Sequence, residues 1–346
     1  MSQVNENPFV YSDTNKRYHT YDYYLRHTFG EKCAKVTLDA GLTCPNIDGT
    51  CSYGGCIYCA GGSGARTIDK RQSLSEQYNS QRAIMLKKWS NITKFIPYLQ
   101  AYTNTHTTPE NLVRILDEVR ALDGAVMIDI ATRADCLENE KIDILATLSE
   151  QIPLTIELGL QSSDDDTARL INRGHTLDTF IDAFSRIRER APRVKIAVHI
   201  INGLPRENRD KMLKTAHTVA NLGADIIKIH LLHVIEGTPL ATMYKRGEYE
   251  PLTLEEYVSI VCDQIEILPS EMVVERLTGD AERSELLAPE WSLKKTVVIN
   301  EIDKELYRRG TYQGAMRNAS QVRTGDAPGG ELINSKFGSR PASSEE

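Results

Sequence analysis

Six short runs of β-branched and apolar residues recur along the chain, and their spacing limits the folds open to it. They are KVTLDA (35–40), KFIPYLQAY (94–102), AVMIDIA (125–131), LTIELGL (154–160), VKIAVHII (194–201) and ADIIKIHLLHVI (224–235). From the second onward they start about 30 to 40 residues apart, the length of a βα unit. The intervening segments carry helical patterns. Thr108 stands as an N-cap before Pro109, and Leu112, Val113, Ile115, Leu116 and Val119 share one face. Thr176 precedes a stripe of Phe180, Ile181, Phe184 and Ile187. A third stripe, Met212, Leu213, Ala216, Val219 and Ala220, stops at Gly223.

Six such units build either a doubly wound α/β sheet or a partly closed (β/α) barrel. No G-x-G-x-x-G opens a helix after a strand, which argues against a dinucleotide-binding fold. In both architectures ligands gather at the C-terminal strand ends. Those ends are polar here: TNTHTT (103–108), TRADC (132–136), QSSDDD (161–166), NGLPRE (202–207) and EGTP (236–239).

Composition narrows the class. Hydrophobic content of 40% and charged content of 26% suit a soluble globular protein. No apolar run reaches the roughly 20 residues of a membrane helix. The polar N-terminus lacks a secretion signal, so the expected location is cytoplasmic and reducing, where disulfides rarely persist. A net charge of −7 gives no global attraction to nucleic acid. The basic stretch 169–195 reads as a solvated helix face. The expected organisation is a flexible segment (1–17), a core (18–265), a C-terminal extension (266–317) and a disordered tail (318–346). The extension holds one more strand, in MVVERLTG (272–279), and a helix over about 291–309.

Four of the seven cysteines fall in CPNIDGTCSYGGCIYC (44–59). A structural zinc site usually offers two close pairs, whereas here only Cys56 and Cys59 form one. Nothing thioredoxin-like in length or topology surrounds that pair. A [4Fe–4S] cluster fits better, since glycines at 49, 54 and 55 let backbone wrap a bulky group. Spacing leaves two triplets open: Cys51, Cys56 and Cys59, or Cys44, Cys56 and Cys59.

Together with that loop, QAYTNTH (100–106), TRADCL (132–137), IELGLQS (156–162), INRGH (171–175), HIINGLPRE (199–207), KIHLLHVIEGTPL (228–240), RLTGD (276–280) and APEWSLKK (288–295) resemble one family. It is the radical SAM family of YhcC- and YtqA-like proteins, related distantly to the Elongator catalytic subunit. The resemblance runs in order from about Tyr18 to Tyr312. It implies a partial (β/α)6 TIM-like barrel of radical SAM type with a small C-terminal extension. The family's loop reads C-P-N-R-D-G-T-x-G-x-G-G-C-x-F-C, which puts the cluster ligands at Cys44, Cys56 and Cys59 and leaves Cys51 a bystander. Ile47 replaces an arginine and Tyr58 a phenylalanine of that pattern.

The resemblance also implies a chemistry: reductive cleavage of S-adenosylmethionine to a 5′-deoxyadenosyl radical that abstracts hydrogen from substrate. Thr103, Asn104 and Thr105 stand where the superfamily reads the methionyl amino group. Glu157 and Gln161 would face the ribose hydroxyls or the amino group, His199 and Asn202 the adenine edge, and Arg133 a carboxylate. The implied substrate is tRNA, whose wobble uridine carries a carboxymethylaminomethyl group converted to aminomethyl. The implied partner is an electron donor such as flavodoxin or ferredoxin, with no membrane. The competing classes are radical chemistry on a small molecule and a non-catalytic zinc or iron–sulfur protein. His106, His175, His230 and His233 read as core or capping histidines. Tyr18, Tyr21, Tyr23 and Tyr24 read as packing at the barrel bottom rather than as stacking for unpaired bases.

Overall fold

The computed structural model describes residues 7–61, 68, 69 and 71–317. Chain order brings α1 (Tyr21–Phe29), β1 (Cys33–Leu38), α2 (Leu74–Lys88), β2 (Lys94–Leu99), α3 (Pro109–Arg120), β3 (Ile128–Thr132), α4 (Asn139–Ser149) and β4 (Leu154–Gln161). Next come α5 (Asp165–Leu170), α6 (Leu177–Arg190), β5 (Lys195–Asn202), α7 (Arg209–Leu222), β6 (Ile226–Leu231), β7 (Val234–Ile235) and α8 (Pro239–Lys245). The chain continues through α9 (Leu254–Ile267), β8 (Val273–Arg276), β9 (Leu286–Ala288) and α10 (Lys295–Arg308).

Strand order decides between the two architectures left open by spacing. The main sheet runs β1-β2-β3-β4-β5-β6-β8, every pair parallel. Each crossover leads to the next strand and the winding never reverses, so the sheet curls into a half-barrel instead of a doubly wound sheet. The count is seven strands rather than six. The stretch 272–279, expected in a separate extension, enters the sheet as β8 beside β6. Two boundaries also move: β2 ends at Leu99, and Ala125 makes only an isolated bridge to Phe95 before β3 begins at Ile128.

The helices form where caps and stripes placed them. Thr108 accepts from Asn111 N, and Leu112, Ile115, Leu116 and Val119 are buried. Val113, expected on that face, is 41% exposed instead. The large core lies between the outer sheet face and the helices, with Val36, Leu99, Ile130, Ile156, Val198 and Ile229 among its buried members. α9 packs between α7 and α10. β7 and β9 pair antiparallel as a separate two-stranded ribbon.

The barrel bottom is aromatic, as the tyrosine-rich N-terminus suggested. Tyr18 is buried, and Tyr21 and Tyr24 stack at 6.0 Å against the floor. Of the segment 1–17, residues 7–17 carry local order. Phe9 and Arg17 are buried, and the Asn7 amide donates to the Lys16 carbonyl at 2.7 Å. The tail 318–346 lies outside the described residues.

Candidate active site at the strand ends

The cysteine loop leaves the C-terminal end of β1 and winds back on itself. Ile47 N and Asp48 N donate to Cys44 O, Cys51 N to Pro45 O, Gly55 N to Asn46 O, and Cys59 N to Cys56 O. Gly49, Gly54 and Gly55 take the positive φ values expected of a wrapping loop. Asn46, fully buried, donates from Nδ2 to Cys56 Sγ at 3.6 Å, and its Oδ1 accepts from Cys51 Sγ at 3.7 Å.

One turn, 171–174, anchors this loop. Ile57 N donates to Ile171 O, and the Asn172 amide donates to Gly55 O at 2.8 Å. The Asn46 amide also donates to Asn172 O. Arg173 is 1% exposed and donates to the carbonyls of Leu160, Ser162 and His175, tying the turn to the end of β4. Gly174 has φ +86°, and a Cβ there would stand 2.8 Å from Asn46 Oδ1 and 3.2 Å from Cys51 Sγ. Only glycine fits this contact. The INRGH stretch is therefore the seat of the cysteine loop.

A cavity of about 770 Å³ opens at the strand ends. Cys44, Cys56 and Cys59 line it; Cys51 is exposed and outside the lining. Of the other site residues expected from sequence, Thr103, Arg133, Glu157, Gln161 and His199 reach it. Asn104, Thr105 and Asn202 do not, because each is spent on structure. The Asn104 amide donates to the carbonyls of Leu99, Ala101 and Ala131. Thr105 Oγ1 meets Thr132 Oγ1 at 2.5 Å and donates to Cys136 O at 2.6 Å. Asn202 forms a reciprocal amide pair with Gln264, both bonds 2.8 Å.

Three of the five that reach the cavity, Arg133, Glu157 and His199, also arrive already engaged. The Arg133 fork donates to Asp135 at 2.9 and 2.7 Å and to Arg173 O at 2.8 Å, so part of its donor set is met within the protein. Glu157 accepts from Lys228 through both oxygens at 2.6 Å, from Tyr98 at 2.5 Å and from Lys35 at 3.1 Å. His199 Nε2 lies 2.8 Å from the same carboxylate. Burial opposes ionisation of Glu157, yet Lys228 and Lys35 outweigh it and hold its carboxyl well below the usual range.

Glu157 belongs to a buried charge core that the sequence reading missed. Lys35 also meets Asp129 and Glu275, both at 2.5 Å, and Lys228 meets Glu275 at 2.9 Å. Burial pushes the Asp129 carboxyl up to about 6 against the pull of Lys35. Asp129, Glu157 and Glu275 bring ligand oxygens within 4.8 Å of one another. Two ammonium groups already sit among them, so their charge is met by lysine. Histidines were misplaced as well. His175, His230 and His233 line the cavity, each with a buried Nε2 that has no hydrogen-bond partner. His106 instead meets Asp48 at 2.8 Å beside the cysteine loop.

Comparisons with known proteins agree with this layout. The Radical SAM superfamily matches residues 46–219, and the Radical_SAM C-terminal domain matches 224–308. The protein YtqA of Bacillus subtilis (strain 168) is 46% identical over 312 residues, covering 90% of this chain and 96% of its own length. The protein YhcC of Escherichia coli (strain K12) is 31% identical over 293 residues, covering 84% and 93%. A tRNA uridine(34) acetyltransferase of Methanocaldococcus jannaschii is 26% identical over 292 residues, covering 71% of this chain and 51% of its own. Among solved structures, Elp3 of Methanocaldococcus infernus shares the fold, with a TM-score of 0.57 at 22% identity, covering 81% of this chain and 64% of that one. Half of the chain under the superfamily match, and nine-tenths of it aligned to YtqA, make it a member of the radical SAM enzymes.

Proposed function

We propose that this chain holds a [4Fe–4S] cluster on Cys44, Cys56 and Cys59, binds S-adenosylmethionine beside it, and directs the resulting 5′-deoxyadenosyl radical at tRNA. The target in this reading is a wobble-uridine side chain, carboxymethylaminomethyl going to aminomethyl. The observation that carries the reading is the meeting of those three cysteines with Thr103, Gln161 and His199 in one cavity.

The donor set fits a cluster better than a single ion. Among the described residues, the three cysteine sulfurs do not come within 4.8 Å of one another as a group. Zinc, with bonds of about 2.3 Å, would draw its sulfurs to within about 4 Å. When bound, the cluster supplies the electron that breaks the sulfonium carbon–sulfur bond. The protein's own residues position and seal. Asn46 fixes the Cys56 sulfur through its 3.6 Å bond. Gln161, at φ +59°, turns its amide back over Gly159 at the end of β4. Glu157 holds His199 by one ring nitrogen and, with Tyr98, closes the floor against water. The tRNA part is supported by the relative named for uridine 34.

The test is anaerobic. Reconstituted protein should carry about four irons and four sulfides per chain and form 5′-deoxyadenosine from S-adenosylmethionine with dithionite. Cys44→Ala should lose both properties, and Cys51→Ala should keep them. One zinc without labile sulfide would end the reading. Wobble nucleosides measured in tRNA with and without the gene test the substrate, and an unchanged profile removes tRNA.

A further inference from the structure

One wall of the cavity is made by His230 of β6, His233 just beyond it, Arg276 of β8, and the loop holding Gly279, Glu282 and Glu285. Of the cations lining the cavity, Arg133 is neutralised by Asp135, and Lys228 by Glu157 and Glu275. Arg276 differs. Its Nη1 reaches Asp280 at 3.3 Å, but Lys295 holds the same carboxylate at 2.5 Å. Because Asp280 is shared with Lys295, the Arg276 guanidinium keeps donors without a close partner among the described residues at this wall.

The two histidines beside it lack partners. Nε2 of His230 and Nε2 of His233 are buried and unbonded. Such groups are costly unless something meets them. Burial first, then the charges of His199, Arg276 and Lys228, keep His230 neutral, and burial holds His233 down at about 4. The fit around His233 is close: a Cβ on Gly279 would lie 2.8 Å from its Cε1. A guanidinium fork flanked by two neutral imidazoles matches a planar carboxylate. Glu282 and Glu285 line the same mouth and match a cation next to that carboxylate.

We propose that this end is the subsite for the reacting substituent, with Arg276 taking a carboxylate between His230 and His233 while Glu282 and Glu285 face an ammonium one carbon away. The proposal rests on the tRNA reading above, whose substituent is such a zwitterion. S-adenosylmethionine carries the same two groups on its methionyl carbon, so the test must separate the two sources.

The test uses reconstituted protein and equilibrium binding of two nucleosides, 5-carboxymethylaminomethyluridine and 5-methylaminomethyluridine, which lacks the carboxylate. The wild type should bind the first at least tenfold more tightly than the second. Arg276→Gln should erase that preference, weakening the first nucleoside at least tenfold and the second no more than twofold. Arg276→Lys, which keeps the charge and loses the fork, should fall between them and serves if Arg276→Gln fails to fold by thermal melting. Absence of the preference in the wild type overturns the subsite, as does an equal loss for both nucleosides or a loss that falls on S-adenosylmethionine binding. Conversion of tRNA by the wild type is measured separately. If it fails while the nucleoside preference depends on Arg276, the tRNA reading falls and the subsite stands.

Discussion

The cysteine loop and the buried charge core face the same cavity and are made of different materials. The loop puts its cysteines within sixteen residues, shaped by short backbone turns and seated against the turn 171–174. The core draws Lys35, Asp129, Glu157, Lys228 and Glu275 from five strands. The loop is local chemistry on a seat, and the core is a product of topology. A lesion in the first should therefore disable the protein while leaving it folded, and a lesion in the second should unfold it.

The sharpest test of that division is Cys56→Ala. Iron content and 5′-deoxyadenosine formation should drop to background while the thermal midpoint of the cluster-free protein stays within about 1 °C, a shift under about 1 kcal/mol at this size. A collapse of the fold would erase the contrast. Glu157→Gln should do the reverse. It removes one carboxylate from two buried lysines, and breaking such a pair costs about 3–5 kcal/mol, read as a lower denaturant midpoint. A neutral outcome would mean that water enters the core.

Gly174→Ala probes the join between loop and barrel. The added methyl meets Asn46 and Arg133 in a left-handed conformation, a strain of about 1–3 kcal/mol. Cluster loading should fall more than stability does; the opposite order would make the turn a barrel element. The smallest effect is a pH dependence. His233 is pushed by burial to about 4 in the fold, below its unfolded value. The unfolded chain therefore binds more protons between the two values, and stability present above the unfolded pKa is lost as pH falls toward the folded one. From pH 6.5 to 5 the loss should be about 2 kcal/mol. His233→Asn should remove that slope, measured by urea unfolding across the range, and a slope that persists would assign it to His175 or to the charge core.

Legibility followed the same division. The cysteine-rich loop, the capping threonines and the apolar stripes carry their meaning in near neighbours, so spacing and propensity reach them, although spacing alone does not choose between Cys44 and Cys51. Lys35 and Lys228 sit in otherwise apolar strands, and each reads alone as an ordinary alternating position. Their meaning appears only when 122 and 71 residues of separation are closed against Glu157. Asn104, Thr105 and Asn202 failed the other way. They stand at strand ends where ligands gather, but freed carbonyls and a neighbouring amide claim them first. His230 and His233 were taken for packing because their strand is apolar, and the strand's curl turns them to the cavity.

β8 carries Glu275, which touches both lysines of the core. During synthesis Lys35 and Lys228 are made long before that carboxylate exists. A nascent chain ending short of residue 275 holds two ammonium groups against only Asp129 and Glu157, with no seventh strand beside β6. The charge core is therefore complete only once β8 has been made, and that edge strand acts as its keystone.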